Sequence, residues 1–171
     1  MSDLVFACFA VIASSTWVHP KAEPVQVCEA IEVISENQGV DPWLMAAIAW
    51  HESGFVVDKI SPDGKDFGTM QVRVSIATGN PWIKGGKYCT RQTVLTTYGG
   101  VECGILMYLH AVDWYAFAVK NNRLPFQGWR PTSPMGCYAV GNTCVETHGV
   151  RAIYRMRQAL LRTAGVEITE D

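Results

Sequence analysis

A carboxylic acid keeps its proton near neutral pH only where water is held away from it, and residue 52 stands in such a place. Leu44, Ile48 and Glu52 recur four residues apart, so on a helix they form one stripe, with Met45 and Ala49 beside them. A carboxylate ending that stripe is desolvated, which disfavours its charged form and raises its pKa. This is the placement of a general acid. An isolated glutamate at a helix end more often turns into the adjoining loop and its water, so Glu52 gains its weight from the residues around it.

Those neighbours carry chemistry of their own. Ser53 follows directly, and a polar loop holding Ser61, Pro62, Asp63, Gly64 and Asp66 leads to Gly68-Thr69-Met70-Gln71-Val72. Met70 offers an adaptable apolar wall, and Gln71 an amide that both donates and accepts. Gly68 reads as backbone freedom or close approach, and Phe55 as core. His51-Glu52 begins like a zinc-protease H-E-x-x-H pair, but Phe55 occupies the second histidine position. His19, His110 and His148 have no ligand spacing with His51, so neither a metal nor a cofactor is expected.

Several helices must position these groups. Val27, Ala30, Ile31 and Ile34 mark an amphipathic helix ending before Gly39. Asp41-Pro42 supplies an N-cap and a first-turn proline, so a second helix over 42–53 carries Glu52. Regular structure is weak from 53 to 93, apart from an alternating Met70-Gln71-Val72-Arg73-Val74 that suggests a short strand. Val101, Ile105, Tyr108, Val112, Tyr115 and Val119 trace a long central helix from about Gly100, and 149–164 a last one. The proline-rich stretch 123–134 reads as a loop. The fold class is mainly α, with a short irregular or β segment in the middle of the chain.

With 171 residues the chain suits one domain, placed over 25–164, after an apolar N-terminal segment and linker over 1–24 and before an acidic tail over 165–171. A composition of 49% hydrophobic and 18% charged residues is that of a globular protein. Fourteen basic against sixteen acidic side chains, with no basic run, argue against nucleic acid as partner. The apolar stretch 4–13 is far short of the roughly 20 residues that span a bilayer. It has the length of a signal-peptide core, although Asp3 stands where a basic residue is usual; a buried helix or a docking segment reads equally well. The six cysteines show no C-x-x-C spacing, which favours disulfides over metal. Cys137 with Cys144, and Cys89 with Cys103, are candidate pairs; buried free thiols are the alternative. Disulfides would place the protein outside the cytoplasm.

The linked motifs Glu52-Ser53-Gly54-Phe55 and Gly68-Thr69-Met70-Gln71 resemble, in order and spacing, the catalytic core of the lytic transglycosylases, with Thr69 where that family has Leu. Glu102-Cys103-Gly104-Ile105 through Tyr108-Leu109 is similar to the family's N-I-x-x-G-x-x-Y-L helix. Cys137-Tyr138-Ala139-Val140-Gly141-Asn142 is similar to its A-Y-N-A-G motif, with Ala139 replacing Asn. The resemblance covers roughly 41–161 and implies a lysozyme-like fold of the goose type. It further implies that Glu52 cleaves the bond between N-acetylmuramic acid and N-acetylglucosamine in peptidoglycan, first as acid and then as base, giving a 1,6-anhydro product. In that reading Ser53, Met70, Gln71 and Tyr138 bind substrate or hold Glu52.

Two other functions fit the same residues. A hydrolytic muramidase of the goose type would need an aspartate to position water, for which Asp63 and Asp66 lie in the right loop, although Arg73 stands where those lysozymes carry an Asp. A catalytically idle wall-binding component of a secretion apparatus or phage tail is the alternative of another class. No separate wall-binding repeat is present, which suits delivery by a larger assembly, in the periplasm, outside the cell or on a phage virion.

Overall fold

A computed structural model describes residues 1–16, 18–124, 132–141 and 144–167. The chain is mainly helical. Helices α1 (Asp3–Ala13), α2 (Pro24–Gln38) and α3 (Pro42–Ser53) precede a two-stranded antiparallel hairpin of β1 (Asp66–Phe67) and β2 (Val72–Arg73). Short helices α4 (Val74–Gly79) and α5 (Arg91–Val94) flank a 3-10 turn (Gly86–Tyr88) and lead into α6 (Thr97–Lys120), α7 (Pro134–Val140) and α8 (His148–Thr163).

Local signals set the helix ends. The Asp41 carboxylate accepts from the N–H groups of Trp43 and Leu44 at 2.9 and 3.3 Å, and Pro42 occupies the first turn. Gly54, at φ 66°, closes α3 in the left-handed region. Thr96, Ser133 and Thr147 cap α6, α7 and α8 through their hydroxyls.

The centre of the molecule is α3 rather than the longer α6. Residues Met45 through Ala49 are fully buried, packed by α8, α2 and α1, whereas α6 buries chiefly its first half. A helix enclosed on all sides has no use for a polar face, and the run Leu44-Met45-Ala46-Ala47-Ile48-Ala49 is apolar all the way round.

The N-terminal segment belongs to this core, a correction to a domain beginning near Val25. Leu4, Val5, Ala7, Cys8 and Val11 of α1 lie in one cluster with Ile31, Ile48, Ile105 and Ile153, and a disulfide joins Cys8 to Cys28 of α2. The stretch read as a linker is also fastened down. Glu23 donates its N–H to the Phe55 carbonyl at 2.9 Å, Ala22 pairs with Val56, and Lys21 meets Asp58 at 2.7 Å. An apolar run long enough for one buried helix face carries the same signal whether it is exported or packed. Among the described residues no helix is long and apolar enough to cross a membrane.

Two further disulfides join Cys89 to Cys103 and Cys137 to Cys144. Together the three fit an oxidising compartment. Of the loop expected over 123–134, residues 125–131 lie outside the described part, as do Asn142 of the third motif and 168–171 of the acidic tail.

Candidate active site

Helix α3 delivers Glu52 to the edge of a cleft of about 740 Å³, whose lining includes Lys59, Asp66, Met70, Gln71, Arg73, Asn80, His110, Trp114 and Tyr138. Because the preceding turns of α3 are buried, the Glu52 carboxyl emerges half-buried beside apolar core. Burial pushes it up to about 7; the Lys59 cation pulls against that shift, and Asp66 adds to it. At neutral pH the group is therefore divided between acid and base, the state a proton-transfer catalyst needs.

The facing wall is the 54–73 segment. Ser61 closes its loop, accepting from Asp66 N–H at 2.9 Å and donating to Asp63 at 2.7 Å. The hairpin places Asp66 opposite Arg73, and the guanidinium takes both carboxylate oxygens at 2.8 Å. Gly68, at φ 78°, lies so close to α5 that a Cβ would overlap the Val94 carbonyl oxygen. The close approach expected of this glycine is thus to its own chain, not to a ligand. Thr69, at the position of the family's Leu, is fully buried, and its hydroxyl has no partner among the described residues.

No family model, characterised protein or solved structure matches this chain. The site therefore stands on its geometry.

That geometry brings Glu52, Met70, Gln71, Tyr138 and Asp66 to one cleft. Met70 is 1% exposed and seats against Gly104 of α6, where any side chain would overlap it, so it forms the floor. Gln71, at φ 48°, spends its amide N–H groups on the carbonyls of Gly68 at 2.8 Å and Lys59 at 3.3 Å. It pins the loop while lining the cleft. The Tyr138 hydroxyl donates to the Met70 carbonyl at 3.1 Å, tying α7 to the hairpin turn. Burial, then the charges of Glu52 and Asp66, holds its phenol far above the ordinary range, so it stays a neutral donor.

Two expected residues lie elsewhere. Ser53 is 5% exposed and donates to the Ala49 carbonyl at 3.0 Å, on the core side of α3; it neither lines the cleft nor orients the Glu52 carboxyl. The hydroxyl bonds back to the carbonyl one turn earlier on its own helix. Asp63 is exposed, engaged by Ser61 and Lys65 and 4.0 Å from Arg73, and is not itself part of the cleft lining. Of the two aspartates, only Asp66 reaches the cleft.

Sequence reading missed Lys59, Asn80, His110 and Trp114. Asn80 and His110 meet at 3.2 Å in the cleft lining. His110 and Trp114 stand four apart on α6, a spacing visible in the sequence, but which face of α6 meets the cleft is decided by tertiary packing. Among the described residues no cluster of His, Cys, Asp or Glu is arranged to hold a metal ion.

Proposed function

We infer that the chain is a peptidoglycan lytic transglycosylase of lysozyme-like fold, acting outside the cytoplasm. The observation that carries this reading is a cleft with one available carboxyl group. Glu52, pushed up to about 7, faces a wall whose only other carboxylate among the described lining residues, Asp66, is held at both oxygens by Arg73. With a single carboxyl the substrate itself can supply the nucleophile, in departure from the two-carboxylate arrangement. A muramic residue can do so. Glu52 gives its proton to the glycosidic oxygen as the C1–O4 bond breaks, the C6 hydroxyl oxygen of the same sugar bonds to C1, and Glu52 takes the proton that hydroxyl releases. The 1,6-anhydro sugar forms without water, and Glu52 ends protonated as it began.

Tyr138 and Gln71 support this reading by holding the Met70 turn and the loop in place opposite Glu52. The three disulfides favour the periplasm, the cell exterior or a phage virion as the setting. Peptidoglycan strands are the proposed partner, and a secretion apparatus or phage tail the proposed carrier.

Digestion of purified peptidoglycan followed by mass spectrometry tests the reading. Anhydromuramic ends are expected, and Glu52→Gln should slow their release by about a thousandfold. Reducing ends instead would assign the protein as a goose-type muramidase, with Asp66 the aspartate in reach. Equal, negligible clearance by wild type and Glu52→Gln would leave a wall-binding component without catalysis.

A further inference from the structure

We propose that Lys59 is a positioning residue of the Glu52 site, bolting the end of α3 to the facing wall and setting a cation beside the carboxyl that must become an anion during each turnover. The inference rests on the reading of Glu52 as acid and base given above.

Lys59 bonds to both walls of the cleft. Its ammonium donates to the Glu52 main-chain carbonyl at 2.6 Å, one of the last carbonyls of α3, which has no N–H of its own helix to accept. Its own carbonyl accepts from Gly68 N–H at 2.8 Å and from the Gln71 amide at 3.3 Å, the two residues that shape the hairpin turn. One residue thus fixes the spacing between the helix that carries the acid and the turn that forms the cleft floor. The partial negative charge at a helix C-terminus adds to the hold on a cation there.

Lys59 also lines the cleft, with its ammonium held at the Glu52 main chain, so its charge acts where Glu52 ionises. The titratable groups around that cleft are Lys59 of the loop, Asp66 of β1, Arg73 of β2 with Asp63 4.0 Å from it, His110 of α6 and Tyr138 of α7, with His51 adjoining on α3. Arg73 is committed to Asp66, and Lys59 is the cation that pulls the Glu52 carboxyl down against burial. When Glu52 releases its proton to the leaving oxygen, the new carboxylate meets Lys59 instead of bare apolar wall. The barrier falls at the step where charge develops.

Three substitutions separate charge from bond. Lys59→Arg keeps both, Lys59→Gln keeps an N–H donor without the charge, and Lys59→Met removes both. The rate of glycan cleavage falls as pH rises through the pKa of the acid. With the cation gone, that alkaline limb should move upward by on the order of one pH unit in Lys59→Gln and Lys59→Met, and stay in place in Lys59→Arg. Titration of the Glu52 carboxyl by carbon-13 NMR, with Glu52→Gln to assign the signal, should show the same displacement. An unmoved midpoint in Lys59→Gln, or rates lowered by one factor at every pH, would overturn the proposal and leave Lys59 a loop fastener. Because the NMR titration requires no turnover, it separates this outcome from a chain that cleaves no glycan at all.

Discussion

The two walls of the cleft are rigid for different physical reasons. The α3 wall is held chiefly by apolar burial: Met45, Ile48, Phe55, Ile105, Ile153 and Leu160 share one core. The facing wall, 54–73 backed by 74–96, has only a small cluster, Phe67, Val72, Ala77, Cys89 and Val94 with Cys103 of α6, and Cys89 and Cys103 form a disulfide. Its shape comes instead from close glycine contacts, the Ser61 turn, the Asp66–Arg73 pair and the Lys59 and Gln71 bonds. Where hydrophobic area is scarce, backbone contact and covalent linkage take its place. The catalytic candidate sits on the wall with the larger apolar core, and the groups that tune it sit on the wall that polar contacts hold in shape.

The largest effect should come from breaking the second wall at its tightest point. Gly68→Ala puts a methyl group into the Val94 carbonyl and forces a side chain to φ 78°. Overpacking and left-handed strain together should cost about 3–4 kcal/mol, measured by denaturant unfolding. A cost under about 1 kcal/mol would show that this wall yields where the geometry says it cannot.

Removing one disulfide from each wall sharpens the contrast. The Cys8–Cys28 and Cys89–Cys103 bridges close loops with separations of 20 and 14 residues, so replacing either pair by alanine should cost a similar amount, about 3 kcal/mol. Their effects on the cleft should differ. Without Cys8–Cys28 the apolar contacts of α1 still hold, and the cleavage rate per folded molecule should stay within about a factor of two. Without Cys89–Cys103 the smaller cluster loosens beneath the hairpin, and the rate should fall about tenfold. Equal losses of activity would refute a difference in how the walls are built.

This difference also explains what was legible in the sequence. The α3 wall could be read residue by residue, because periodicity, the Asp41 cap, Pro42 and Gly54 are local signals for a helix whose burial they also imply. So were the courses of α2, α6 and α8. The role of α1 was not, since an apolar stretch does not say what covers it. The second wall was legible only as motifs. Glu52, Met70, Gln71, Tyr138 and Asp66 reach the cleft, but the directions of Ser53 and Asp63 depend on hydrogen bonds formed after folding. Helix α7 was hidden because its seven residues are too few for a period, and Lys59 because a lone lysine in a loop carries no pattern.

Placing an ionisable group on the stable wall has a thermodynamic consequence. Glu52 has its pKa raised by burial from an ordinary carboxyl value of 4.5 to about 7, so the folded protein keeps this proton to higher pH than the unfolded chain does. Between those values the folded state binds more protons, and stability falls as pH rises; the penalty is absent well below 4.5 and complete above 7. Glutamine has no charge to bury, so Glu52→Gln should stabilise the fold by about 2 kcal/mol at pH 8 and by almost nothing at pH 4. Thermal or denaturant unfolding at the two pH values measures this directly. The same substitution should then slow the proposed cleavage about a thousandfold while strengthening the fold, which is how a residue kept for chemistry differs from one kept for packing. A Glu52→Gln chain that is less stable at pH 8 than the wild type would place the carboxylate among the supports of the α3 wall, and the division of labour between the walls would fail at the residue that matters most.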